Sequence, residues 1–220
     1  MKKVLLAFLA VVFLVPAAFA VPALQLYIPG GTYNHSSETW ITNRSSFEIW
    51  VIASNLDRNN PIYNVTLTAA LGQNTSPVSG ALTISPLSGT GHTYAANEYL
   101  YGNPPATGNS SGNMPNHGIF PTNYVEYLAA GRTSNNFVNT YNMVDGGGPT
   151  HGNIFKFNVI SAYRYVHFDA YGYLKSADGK FIKAPFSKDA ESSTAVPEPA
   201  SMLLFGLGLA GAGIVRRFKK

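Results

Sequence analysis

The stretch SFEIWVIA, residues 46–53, places apolar side chains at every second position, from Phe47 through Ile49 and Val51 to Ala53. Serine, glutamate, tryptophan and isoleucine occupy the positions between them. Successive side chains of a β-strand point to opposite faces of its sheet, so a period of two predicts a strand with one face in a core. This stretch therefore indicates a β-sheet protein.

The same period of two recurs along the chain between residues 21 and 186. Further alternating stretches lie at 64–69, 155–159 and 165–170, shorter ones at 24–28 and 81–84, and turn-forming sequences at 57–61 and 178–179. Several short strands separated by turns are typical of an antiparallel β-sandwich or jelly roll. We therefore predict one all-β domain over residues 21–186.

One segment departs from this pattern. Between Asn123 and Arg132, Tyr124 and Leu128 are four residues apart, a spacing that a helix accommodates, and Gly131 is suited to ending such a helix. This is the only stretch of the domain for which we predict a short helix.

Two other segments lack any hydrophobic period. Residues 85–122 are rich in glycine, proline, asparagine and serine, and residues 187–196 are mostly polar. Long segments of this kind within a compact domain are usually functional loops or disordered. We predict a loose loop over 85–122 and a linker over 187–196.

The first twenty residues have the order of a secretory signal peptide. Lys2 and Lys3 form a positive region, an apolar run follows from Val4, and Ala18 and Ala20 form an A-x-A cleavage site. This order predicts export, with cleavage after Ala20.

The other end of the sequence has three consecutive parts. They are Pro197-Glu198-Pro199, an uncharged apolar run over residues 200–215, and a basic terminus that includes Arg216 and Arg217. Sixteen helical residues span roughly 24 Å, which is short for a bilayer core of about 30 Å. Because basic residues stay on the cytoplasmic side, we predict a transmembrane segment with the β-domain outside.

This tripartite end resembles the PEP-CTERM sorting signal of Gram-negative bacteria, which exosortases recognise. The resemblance implies transit through the inner membrane, removal of residues 197–220, and delivery to the cell surface or the extracellular matrix. It implies the export machinery and an exosortase as partners. Proteins with this signal tend to belong to organisms that make exopolysaccharide or biofilm matrix.

The net charge of the domain excludes one class of function. The chain has a formal charge of +4, but six of its fifteen basic residues lie in the two terminal signals. Residues 21–195 keep nine basic and ten acidic residues, a charge of −1. The domain thus has no electrostatic footprint for nucleic acid. The chain also has no cysteine, which excludes zinc–thiolate sites and cysteine nucleophiles.

Short motifs in the mature region resemble a choice-of-anchor family, the N type. They lie at Leu24–Tyr33, Glu38–Trp40, His167–Gly172 and Ala184–Ser187. The resemblance implies an extracellular domain that different bacteria join to alternative anchors. The family has no assigned enzymatic activity, so the resemblance implies no catalytic residue.

No candidate for catalysis or metal binding is complete in the sequence. The G-x-S-x-G pattern at 108–112 lacks the strand-to-helix context of a nucleophile elbow. His167 and Asp169 form an H-x-D pair, but no second histidine follows, and an upstream ligand such as His117 or His151 would need an unusual topology. We therefore predict no catalytic, cofactor or metal residue. The alternative prediction is a calcium ion bound by residues 57–60, which match only part of a calcium-binding loop pattern.

Aromatic residues indicate the most promising binding surface. Three tyrosines share one predicted strand face with the H-x-D pair, and the five residues are Tyr165, His167, Asp169, Tyr171 and Tyr173. Tyrosine offers an apolar plate with a polar tip, which suits stacking on sugar rings, although it also forms ordinary cross-strand ladders.

The predicted function is a non-catalytic surface domain that binds or organises extracellular polysaccharide. One alternative is a secreted polysaccharide hydrolase with Glu98, Glu126, Asp145 or His167 as acid and base. A further alternative is a structural adhesin that self-associates.

Overall fold

A computed structural model describes residues 24–55, 60–104, 119–134, 136–139, 149–176, 178–184 and 189–193. These residues form β-strands with one short 3-10 helix, Ala96–Glu98. In this part of the chain no helix combines the length and apolar character needed to cross a bilayer. The predicted signal peptide and the predicted transmembrane segment both lie outside the described residues.

Fourteen strands are present in the described ranges. They are β1 (Leu24–Tyr27), β2 (Thr32–Asn34), β3 (Thr39–Thr42), β4 (Ser46–Asn55), β5 (Tyr63–Leu71), β6 (Leu82–Pro86), β7 (His92–Thr93), β8 (Leu100–Gly102), β9 (Thr122–Arg132), β10 (Phe137–Asn139), β11 (Pro149–Ser161), β12 (Tyr165–Lys175), β13 (Phe181–Lys183) and β14 (Asp189–Ser193).

The strands form two sheets. The first has the order β1-β4-β11-β6-β7, with β10 also on β11. The second has the order β2-β3-β14-β12-β5-β9-β8, with β13 also on β12. Neighbouring strands are antiparallel except β14 and β3, which are parallel. Two largely antiparallel sheets agree with the predicted β-sandwich class.

The core lies where apolar faces of the two sheets meet. On β4 the alternation is as expected up to Val51, because Phe47, Ile49 and Val51 are all buried and the residues between them are not. Beyond Val51 both faces of the strand are buried, including Ile52. The Phe47 ring meets Phe168 of the second sheet edge to face, with centroids 5.7 Å apart. Aromatic pairs favour this arrangement over face-to-face stacking. The stretch that predicted a strand thus contributes directly to the contact between the sheets.

The predicted helix after Asn123 is wrong, because these residues form β9. Tyr124 and Val125 are adjacent and both buried, one on each face of the strand. Val125 belongs to the main core, while Tyr124 packs in a smaller cluster on the opposite face. Tyr124 and Leu128 share a face of this strand, because residues four apart lie on one side of a strand as well as of a helix. Their spacing therefore did not distinguish the two structures.

The predicted loop and linker are also partly wrong. The described part of 85–122 contains β7, β8 and the 3-10 helix, while residues 105–118 lie outside the described ranges. Within the predicted linker, residues 189–193 form β14, which pairs with β12 on one side and β3 on the other. The sequence DAESS has only one apolar residue, so its alternation was not visible.

Candidate functional site

The predicted binding face lies on the side of β12 that points away from the main core. Val166, Phe168 and Ala170 belong to the core, so the alternating residues from Tyr165 to Tyr173 point the other way. The structure places all five predicted residues on this outer face.

This face does not offer an open aromatic platform. His167 and Asp169 are only 3% and 0% exposed, and Tyr171 is buried. Tyr171 packs with Phe120 and Tyr124 in a second apolar cluster on the outer face of the sheet. His167, Asp169 and Tyr171 are therefore too buried to stack on a ligand, whereas Tyr165 and Tyr173 remain partly exposed.

Instead, the outer face holds four ionisable side chains in contact, which we call the histidine–carboxylate cluster: His167, Asp169, Asp189 and Glu191. Nε2 of His167 lies 3.4 Å from Oδ2 of Asp169 and 3.8 Å from Oδ2 of Asp189. Its Nδ1 lies 3.2 Å from Oε1 of Glu191. Each imidazole nitrogen therefore faces carboxylate oxygen.

Strand pairing produces the cluster. On β14, Glu191 lies directly opposite His167, and Asp189 is two residues further along, on the same face as Glu191. The hydroxyl of Tyr165 donates a hydrogen bond of 2.7 Å to Oε1 of Glu191. The geometry therefore rests on two adjacent strands and not on loops.

The cluster shifts the acid–base equilibria of its members. Burial by itself lowers the pKa of His167, but Asp169, Glu191 and Asp189 outweigh this and raise it to about 10. The hydrogen bond to His167 lowers the pKa of Glu191. Burial and the Glu191 carboxylate raise the pKa of the Tyr165 hydroxyl. In the absence of a bound cation, the cluster thus favours the protonated form of the His167 imidazole.

The sequence did not identify the partners of the H-x-D pair. Asp189 and Glu191 fall within the predicted linker, and the H-x-D pattern points to a second histidine rather than to further carboxylates. His151 lies on β11 of the other sheet, away from this face, and His117 lies outside the described residues. The D-x-E spacing of Asp189 and Glu191 is the signal that would have indicated a strand with both carboxylates on one face.

A second candidate site is a groove at the open side of the sandwich, which we call the edge groove. Its first part is a cavity of about 530 Å³ lined by His92, Tyr94, Glu98, Leu100, Glu126, Tyr127 and Leu128. A cavity of about 430 Å³ adjoins it, shares Tyr127 and Leu128, and includes Leu87 and Phe155. Because the two cavities share these residues, they are neighbours, and both are included in the edge groove.

Polar groups in the edge groove are held by hydrogen bonds. Nε2 of His92 lies 2.8 Å from Oε1 of Glu98. Oε2 of Glu98 accepts the backbone N–H of Ala95 at 2.6 Å, and this bond is the main reason that the pKa of Glu98 is lowered. Oε1 of Glu126 accepts the Tyr171 hydroxyl at 3.0 Å, while burial raises the pKa of Glu126. Two carboxylates that line one cavity therefore have pKa values shifted in opposite directions.

The other predicted residues are not brought together. Glu98 and Glu126 line the same cavity, but His167 belongs to the buried cluster on the outer face. Asp145, the pattern at 108–112 and most of the loop 57–60 lie outside the described residues. So do Ala18, Ala20 and the residues of the C-terminal signal.

Comparison with known proteins identifies the end of the chain. Residues 195–219 match the model of the PEP-CTERM protein-sorting motif. The motif implies processing by an exosortase, with a membrane intermediate and a cell-surface destination. The chain matches no curated protein and no solved structure. None of these findings supports the resemblance to the choice-of-anchor N family.

Proposed function

We propose that this protein is a non-catalytic surface module that binds extracellular polysaccharide in its edge groove. In this proposal the signal peptide directs export, and an exosortase removes the C-terminal tail at the inner membrane. The β-domain then stays at the cell surface or in the extracellular matrix. The PEP-CTERM motif supports the destination, and the edge groove supports the binding.

The observation that carries the binding proposal is the mixed lining of the groove. The side chains of Leu100 and Leu128 are 45% and 60% exposed, although both are large and apolar. His92 and Glu98 present hydrogen-bonding groups beside them. A sugar ring has apolar C–H faces and polar hydroxyl edges, and it therefore suits a cavity that combines both kinds of surface. The volume lies within the range of about 300–1,000 Å³ typical of ligand pockets.

The carboxylates of the groove already have structural partners. Glu98 bonds His92 and caps the 3-10 helix through the Ala95 N–H, and Glu126 accepts the Tyr171 hydroxyl. Groups fixed in this way are suited to orienting a ligand. This favours a binding module over a hydrolase.

The test is retention of the purified full chain on exopolysaccharide from the producing organism. Leu128→Ala removes an apolar contact in the groove, and we expect binding to weaken about tenfold, equivalent to roughly 1.4 kcal/mol. Ile160→Ala is the matched control, because Ile160 is 57% exposed and does not line either cavity. Equal retention of both variants, or no retention of the unmodified chain at high micromolar concentration, would contradict the proposal.

A second candidate is a polysaccharide hydrolase at the same groove. It is favoured by the opposite pKa shifts of Glu98 and Glu126, because an acid and a base in one site commonly differ in this way. Incubation with polysaccharide and measurement of new reducing ends distinguishes the two candidates. A hydrolase produces turnover that Glu126→Gln abolishes, whereas a binding module produces none.

The sorting part of the proposal has its own test. An epitope tag placed after Lys220 is expected to be absent from the surface form, while a tag within the β-domain remains. Detection of both tags in one full-length surface species would refute removal of the tail.

A further inference from the structure

We propose that His167, Asp169 and Asp189 form a binding site for one divalent transition-metal cation, with Zn²⁺ as the best fit. The site lies on the outer face of the second sheet and is separate from the edge groove. Its expected role is structural, because it joins β12 to β14.

Distances between the three side chains suit a small cation. Two bonds of about 2.0–2.2 Å at a tetrahedral angle place their ligand atoms about 3.3–3.6 Å apart. The imidazole Nε2 lies 3.4 Å from the Asp169 oxygen and 3.8 Å from the Asp189 oxygen. One ligand atom from each residue lies within 4.8 Å of the other two. The histidine–aspartate distances need shifts of only a few tenths of an ångström. The two aspartate oxygens, which lie within 4.8 Å of each other, would have to approach by up to about 1.5 Å on binding the metal.

The ligand types favour zinc over calcium. One imidazole nitrogen and two carboxylate oxygens resemble the mixed N/O ligands of three-residue zinc sites, which leave a fourth position for water. Calcium prefers six to eight oxygen ligands, which these three side chains do not supply. A metal-bound histidine almost always donates its other N–H to a carboxylate, a backbone carbonyl or a water. Glu191 lies at Nδ1 of His167 in that position, and it is itself held by Tyr165.

A buried hydroxyl beside the cluster provides a second, independent observation. Thr68 of β5 lies directly opposite Asp169, on the same face of the sheet. It is fully buried, and among the described residues its Oγ1 has no hydrogen-bond partner. Buried hydroxyls are normally satisfied by a protein group or an ordered water. A water in the fourth position of the metal would supply a partner for this hydroxyl.

The site has a route for entry and a clear consequence for the fold. The Asp189 side chain is 16% exposed, whereas those of His167 and Asp169 are 4% and 0% exposed. A cation therefore reaches the site past Asp189. Because β14 is the last described strand before the sorting motif at 195–219, the metal would fix the strand that adjoins the tail.

The experiment measures Zn²⁺ binding to the untagged full chain after chelator treatment, by calorimetric titration and by metal content after dialysis. We expect one zinc per chain and an increase in melting temperature with zinc concentration. Asp189→Asn, which preserves side-chain volume, is expected to lower the affinity at least tenfold. Glu191→Gln is expected to lower the zinc affinity by about 10- to 100-fold, because the carboxylate that accepts the Nδ1 hydrogen of His167 is lost.

Glu98→Gln is the matched control, because it alters the exposed histidine–glutamate pair and should leave the affinity unchanged. A spectroscopic measurement on the unmodified chain guards against misfolded variants: zinc should shift the ¹⁵N resonance of His167 Nε2 and leave Nδ1 protonated. Three results would each overturn the proposal: no bound zinc after dialysis, Asp189→Asn binding as tightly as the unmodified chain, or tighter binding of Ca²⁺ than of Zn²⁺.

Discussion

The protein contains two histidine–glutamate pairs with similar separations and different surroundings. His92 and Glu98 are 2.8 Å apart in the edge groove, where their side chains are 48% and 38% exposed. His167 and Glu191 are 3.2 Å apart in the histidine–carboxylate cluster, where the histidine side chain is 4% exposed. Water screens the first pair, and the protein interior strengthens the interactions of the second. Burial and the number of neighbouring carboxylates should therefore decide what each pair contributes.

The largest expected effect comes from removing the buried histidine. In the metal-free chain, His167→Ala leaves Asp169, Asp189 and Glu191 close together without the positively charged imidazole between them. Removal of one partner from a buried ion pair typically destabilises a protein by about 3–5 kcal/mol. We expect a loss of this size in the free energy of unfolding, measured by urea denaturation with fluorescence detection.

His92→Ala is the matched variant at the exposed pair, and we expect no measurable change in its urea midpoint. The comparison would fail if both variants lost the same stability. It would also fail if His92→Ala were the more damaging of the two. Either result would mean that burial does not distinguish the pairs.

The two pairs also differ in how far the sequence could predict them. The alternation at 46–53 and 165–170 was sufficient to predict the strands β4 and β12, because one face of each strand packs in the main core. It therefore also predicted that His167 and Asp169 share a face. It could not give their partners, because the pairing of β14 with β12 joins residues more than twenty positions apart.

Strands without a simple apolar pattern were missed for a physical reason. β9 is buried on both faces around Tyr124 and Val125 and becomes exposed towards Arg132, so its apolar residues do not alternate in burial. β14 is a short polar strand held between two neighbours. The edge groove was missed because it depends on which strands end each sheet, and composition does not contain that information. Glu98 and Glu126 were named only as separate candidates.

A smaller effect is expected from the hydroxyl that supports Glu191. Tyr165→Phe removes the 2.7 Å hydrogen bond to Oε1 while keeping the ring. Hydrogen bonds to charged groups contribute about 1.5–3 kcal/mol, and Glu191 keeps His167, so we expect a loss near the lower limit. The measurement is again the urea midpoint. Tyr101→Phe, at a side chain that is 71% exposed, should be neutral, and an equal loss there would contradict the assignment.

The smallest effect concerns the pH dependence of the edge groove and tests its two carboxylates against each other. Burial raises the pKa of Glu126. Its protonated form therefore contributes stability that is present below the unfolded-state pKa, near 4.3, and is lost as pH rises through the higher folded-state value. Glu126→Gln keeps an acceptor for the Tyr171 hydroxyl without the charge. The stability of this variant should therefore fall less than that of the unmodified chain as pH rises through the folded-state pKa of Glu126.

Glu98 should behave in the opposite way, because the Ala95 N–H lowers its pKa. Its ionised form contributes stability above the unfolded-state pKa, and this is lost as pH falls through the lower folded-state value. Glu98→Gln should therefore reduce the pH dependence of the melting temperature below the unfolded-state pKa of about 4.3. Glu126→Gln should reduce the pH dependence above that value. Melting temperatures of both variants between pH 3 and pH 7 measure the difference. Changes of the same sign would show that the groove does not hold its two carboxylates in contrasting environments, and the case for either a binding or a hydrolytic role for this pair would weaken.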